Sequence, residues 1–148
     1  MPCAIKNFQK TVAVCVVSLL CALPLHAADY SSGVIAKVLK KSTTTGIGQK
    51  ITYPVTDNAE VTAMEVTINP GAETGWHSHP VPVYAYVIAG TLDIEFGEGK
   101  KLTFTAGDAI FEALNARHNG RNNGSEPVRL AVFYVGAQGV PNVIKQGL

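Results

Sequence analysis

From Lys50 onward the chain is built of short segments rich in Val, Ile, Tyr, Phe and Thr, cut by Gly, Pro or Asn about every ten residues. Residues 62–68 alternate and stop at Asn69-Pro70-Gly71, residues 84–88 stop at Ala89-Gly90, and residues 91–96 alternate up to a Gly-rich break. Residues 101–105, 109–113 and 128–135 follow the same plan. In a strand, successive side chains face opposite ways, so this alternation gives each segment one buried and one exposed face. No window shows a comparable helical period. Short strands at this spacing, with turn residues between them, predict an all-β sandwich or barrel in one domain of ordinary size.

The first 28 residues do not follow the pattern. Lys6 and Lys10 precede an apolar run, and Leu25-His26-Ala27-Ala28 supplies small residues before Asp29. That order of basic, apolar and small regions is the layout of a secretory signal peptide cleaved after Ala27 or Ala28. The run of residues 11–23 is shorter than the roughly 20 residues a spanning helix needs, so no membrane span is expected after processing. Val14 and Leu20, which precede Cys15 and Cys21, are too bulky for a lipoprotein signal. The expected destination is the periplasm or the exterior. All three cysteines lie in this segment, so the processed chain has no thiolate, and any metal it holds is bound by nitrogen and oxygen. Loss of Lys6 and Lys10 leaves ten basic against eleven acidic residues, a balance that points to no nucleic acid and no acidic membrane.

Residues 29–50 are Ser- and Thr-rich, with Lys37, Lys40 and Lys41 around one apolar stretch at 34–39. This region reads as an N-terminal arm or an edge strand, and the arm could cross to a neighbouring subunit. The barrel itself is expected over 51–148.

Three of the four histidines lie outside the signal segment. His77 and His79 are two apart, so on a strand their rings share a face while Ser78 points away. His118 follows another Gly-headed strand. Taken alone, a His-x-His pair is as compatible with two surface histidines as with half of a metal site.

The spacing around the pair adds to this. Gly71, five residues, His77-Ser78-His79, three residues, Val83, six residues, Gly90 is followed, after residues 91–106, by Gly107, five residues, Ala113-Leu114-Asn115, two residues, His118, three residues, Asn122. These two blocks resemble the paired motifs of the cupin superfamily, in particular the small single-domain bacterial cupins. The resemblance implies a double-stranded β-helix, a jelly-roll barrel, and matches His77, His79 and His118 to the three metal-binding histidines of the family. It also implies a divalent transition metal (Fe, Mn, Ni, Cu or Zn), a small-molecule substrate, dioxygenase-like or isomerase-type chemistry, and a homodimer. A binding module without turnover, or an interaction barrel whose His cluster is a relic, stays open beside these, since a fold does not fix a function.

The departures are specific. The family's usual carboxylate ligand is replaced by Val83, and Ala113 and Asn115 stand for the Pro and Gly of the second motif. Asn115 should preserve the turn because Asn tolerates the left-handed conformation. Glu112 interrupts an apolar run just before that turn. It is either an outward-facing charge or an inward-facing group serving as ligand, outer partner or proton acceptor. A cupin subgroup with His-x-His-Pro-x-Pro early and a Glu before the second turn is matched by residues 77–82 and Glu112. Trp76, Tyr84 and Tyr86 are candidates for a pocket wall, with packing the competing role. Arg117, Glu73 and Asp108 read as exposed or turn residues.

Overall fold

The computed structural model describes residues 32–147. The segment read as a signal peptide lies outside them. Nine strands account for the regular structure: β1 Ala59–Ile68, β2 His77–Ser78, β3 Val83–Ala89, β4 Thr91–Phe96, β5 Lys101–Thr105, β6 Ala109–Phe111, β7 His118–Arg121, β8 Val128–Ala137 and β9 Ile144–Lys145. They form two antiparallel sheets, one in the order β1-β8-β3-β6 and the other β5-β4-β7-β2-β9. Among the described residues no helix is long and apolar enough to cross a membrane.

The period-two pattern decides which side chains fill the space between the sheets. Val83, Ala85 and Val87 on β3, and Val128, Leu130, Val132 and Tyr134 on β8, are buried; so are Leu92, Ile94 and Phe96 on β4. Their odd-numbered or even-numbered neighbours are half-buried or exposed. The alternation follows from the pleat, and burying each such side chain is worth about 1.5–3 kcal/mol before entropy is counted.

Residues 34–39 form no strand. The exposure of Ile35 is nearly complete, and Val38 and Leu39 are half exposed. Of the two readings, an edge strand or an arm, no strand is formed within this chain, where Lys37 interrupts the apolar stretch. Lys40 instead extends over the rings of Phe111 and Phe104, 5.1 and 5.9 Å from their centroids. Beyond it, Thr44 and Lys50 form an isolated bridge closing a turn.

Two corners set the register of the site. Gly90 has φ of +79°, and a Cβ there would lie 2.8 Å from the Pro127 carbonyl oxygen, so both conformation and space require glycine between β3 and β4. Asn115 has φ of +56°, the one positive-φ residue other than glycine among the described residues. It takes the left-handed position as expected, and its N–H donates to the His79 carbonyl at 2.7 Å. Asn122 is buried and closes a third corner, donating to the carbonyls of Ile68 and Glu126, 2.8 Å each, while accepting from Gly124 N–H.

Replacing Asn115 with Gly is expected to leave thermal stability unchanged within error. Asn115→Val should cost about 1–2 kcal/mol, the penalty for a Cβ-branched residue in the left-handed region. Thermal melts of the two variants side by side read the difference, and equal stability would show that the turn does not demand this conformation.

Candidate metal centre

β2 and β7 pair antiparallel with His77 directly opposite His118. Side chains of opposed residues in such a pair stand on one face, so two imidazoles meet as a consequence of register alone. Their ring centroids are 4.3 Å apart. His79, two residues on, bridges to Leu114 beyond the short β2 and brings its ring within 4.8 Å of His77 and 5.0 Å of His118. The ligand atoms of the three lie within 4.8 Å of one another, so His77, His79 and His118 can hold a metal ion.

The three rings are oriented by backbone. Nδ1 of His77 lies 2.7 Å from the Gly75 carbonyl oxygen, Nδ1 of His79 2.8 Å from that of Asn142, and Nδ1 of His118 2.9 Å from that of Ala116. A carbonyl oxygen only accepts, so each Nδ1 carries the proton and donates it. Each Nε2 of a neutral ring is then left with a lone pair, the tautomer a metal ligand needs.

Glu112 faces inward. Its Oε2 is 3.2 Å from Nε2 of both His79 and His118. It stands where it does because its N–H donates to the Val83 carbonyl at 3.0 Å, continuing the register in which Tyr84 pairs with Phe111. The carboxylate that Val83 lacks is thus carried by the residue across from it on the neighbouring strand.

Lone pairs facing a carboxylate oxygen at this distance repel unless positive charge lies between them, supplied by a proton on an imidazole or by a cation. The titration shifts follow from this. Burial raises the Glu112 pKa, but hydrogen bonds from His118 and His79 and the charge of their rings outweigh it and bring it down to about 2. Burial lowers His118, yet its bond to Glu112 and that carboxylate's charge leave it above the usual histidine value. His77 falls below that value, chiefly through burial, with the charge of His118 and His79 acting the same way. A donor set of three imidazole nitrogens and a carboxylate, without sulfur, fits a divalent transition metal.

A cavity of about 60 Å³ adjoins the four residues, walled by Val66, Ile68, Leu92, Ile94, Leu130 and Val132, with Thr74 and Tyr134 on its polar side. Tyr134 was not singled out by sequence, although it shares the inward phase of Leu130 and Val132; its ring meets that of His79 edge-on, 5.5 Å between centroids. Burial, and then the Glu112 charge, raise its phenol pKa.

The pocket-wall candidates fall elsewhere. Tyr84 and Tyr86 alternate with the buried Val83, Ala85 and Val87, so they occupy the outer face of β3, where Tyr84 stacks edge-on against Phe111. Neither lines the cavity at the histidines, and Tyr84 instead borders a separate small recess with Phe111 and Glu112. Trp76 is likewise absent from the cavity wall, its ring covered by the Arg117 guanidinium at 4.2 Å. Glu73 pairs with Arg121 at 2.9 Å and accepts from Asn119 Nδ2 at 3.1 Å, and Asp108 accepts from the Thr105 N–H at 2.7 Å as a turn residue does.

Comparison with known proteins agrees with this architecture. The family described as Cupin domain matches residues 64–134. The beta-alanine degradation protein BauB of Pseudomonas aeruginosa is 41% identical over 68 residues, covering 43% of this chain and 68% of that protein. Among solved structures, DMSP lyase DddQ from Ruegeria pomeroyi superposes with a TM-score of 0.52 at 19% identity, a likeness of fold alone. It covers 62% of this chain, which spans 44% of the lyase chain. A Klebsiella pneumoniae protein with a double-stranded beta-helix domain is 25% identical with a TM-score of 0.46, over 62% of this chain and 78% of that one.

Protons and metal compete for the same nitrogens, which gives a signed pH dependence. Zinc affinity should be full above the raised pKa of His118 and fall as pH drops through it, by about tenfold per unit for each proton displaced. Competition against a chromophoric chelator from pH 8 to pH 5 measures this; an affinity flat across that range would exclude imidazole ligation.

Proposed function

The chain belongs to the cupin superfamily, and we propose that it is an exported, metal-dependent member acting on a small organic substrate. In this reading His77, His79 and His118 hold a divalent transition metal, and Glu112 is its fourth ligand or the base beside it. One observation carries it: three Nδ1–H groups are tied to carbonyls while three Nε2 atoms and a carboxylate converge.

A redox-active metal here supplies oxidative chemistry with O₂, whereas zinc or nickel supplies Lewis-acid chemistry such as isomerisation. The protein's own part is positional and protonic. Glu112 is placed at the cavity beside the three histidines, where its carboxylate can accept a proton from a molecule bound there. Tyr134 brings a hydroxyl to the same space. We place dioxygenase-like oxidation first. The Pseudomonas relative is named for the degradation of a small amino acid, which supports a small organic substrate.

The second reading is a non-catalytic module that holds a metal or small ligand. The cavity favours it in one respect: 60 Å³ is room for roughly four waters, which leaves little space for two reactants at once. The order of basic, apolar and small residues in 1–28 supports export to the periplasm or beyond. Homodimerisation is supported by the outer face of the β1-β8-β3-β6 sheet, where Val61, Phe133, Tyr86 and Ile88 are exposed together.

Elemental analysis of protein purified from its exported fraction should find one transition metal per chain, and the His77→Ala/His79→Ala double variant should contain none. Unchanged metal in that variant would refute the ligand assignment. Oxygen consumption by the metal-loaded protein with small organic acids separates the two readings, and Glu112→Gln should reduce it at least tenfold if the carboxylate moves the proton.

A further inference from the structure

The wall of the cavity is specific about what it accepts. Beyond the three histidines, Glu112, Thr74 and Tyr134 its side chains are aliphatic, and among the described residues no lysine or arginine lines it. The two nearby arginines are engaged elsewhere, Arg117 on the Trp76 ring and Arg121 on Glu73. The Thr74 hydroxyl is also committed. It accepts from Gly120 N–H at 2.9 Å and has the Gly75 carbonyl oxygen and Asn119 Oδ1 at 3.2 and 3.3 Å for its one proton. That leaves the metal position and the Tyr134 hydroxyl as the polar groups a guest can use.

Charge limits the guest further. Three neutral imidazoles, one carboxylate and a divalent cation carry a net single positive charge, which one anionic group balances. A second charged group lying among the Val, Leu and Ile side chains would have no partner there, and an unpaired charge against hydrocarbon is disfavoured. Size sets the last limit. An aliphatic-walled cavity of about 150 Å³ accommodates benzene, and this one, at about 60 Å³, is less than half as large.

We propose that the molecule bound at this site is a short aliphatic monocarboxylate, of acetate to butyrate size. Its carboxylate faces the metal position and the Tyr134 hydroxyl, and its tail lies among Val66, Leu92, Ile94 and Val132. This rests on the metal-binding reading above and adds the substrate class. It also separates the chain from a site for amino acids or diacids, because an ammonium or second carboxylate at the far end of the guest meets only hydrocarbon.

The test is a titration of cobalt-loaded protein followed by the cobalt absorption bands, with propionate, β-alanine and malonate as three guests of three carbons each. Propionate should bind at least tenfold more tightly than the other two. Acetate should bind about fourfold more weakly than propionate, the worth of one buried methylene, and hexanoate at least tenfold more weakly. Val66→Ala, or Ile94→Val should the first variant fold poorly, should move the chain-length limit upward without changing cobalt stoichiometry. If cobalt binds but β-alanine or malonate matches propionate, or hexanoate does, the proposal is overturned while the metal site stands. Failure of the folded protein to bind cobalt overturns the metal reading and this inference with it.

Discussion

The antiparallel register that sets His77 opposite His118 is the constraint on which the site depends. A slip of one residue would send one ring to the far face of the sheet, and no side-chain adjustment could return it. The corners hold the register: Gly90 through a conformation and a clearance that no other residue meets, Asn115 through its left-handed turn, and Asn122 through hydrogen bonds to backbone on both sides of its loop. Stability and ligand geometry are therefore parts of one arrangement. The residues that look most structural are those that aim the imidazoles.

The cupin motifs that the chain resembles carry a carboxylate where this chain has Val83, and Glu112, just past the end of β6, lies across from that position. Neighbouring strands place paired residues about 4.5–5.5 Å apart, so a carboxylate on either one can bring its oxygen near the same centre. Val83 is an ordinary core residue, almost wholly buried. The position of the carboxylate has an electrostatic consequence as well. Glu112 approaches from beside His79 and His118: at His118 its bond and charge outweigh burial, whereas burial dominates at His77 and lowers it.

Much of this was legible in the chain. Alternation gave β4 and β5 with their observed ends, and placed the other long strands to within a few residues, because the period-two signal is strong where one face is buried. The three histidines were legible from spacing, and the left-handed Asn115 from turn chemistry. What escaped had weaker local signals. β2 and β9 are two residues each, too short for any period to register. Tyr84 flanks the histidines in sequence and Tyr86 alternates with it, whereas facing is set by phase, and their phase on β3 is opposite to that of the buried Val83, Ala85 and Val87. The carbonyls that orient the rings carry no side-chain signature at all. One of them, at Asn142, lies 63 residues from the His79 it serves.

That distance gives the last strand an importance its length conceals. β9 pairs with β2, Gln146 donates from its backbone to the Trp76 carbonyl and from its side chain to Ser78 Oγ, and Asn142 supplies the His79 acceptor. This short segment thus acts as a latch over the stretch that carries two of the three histidines. Whatever position those two histidines take is therefore fixed partly by a segment more than sixty residues further along the chain, which pairs with β2 and with no strand of the β1-β8-β3-β6 sheet.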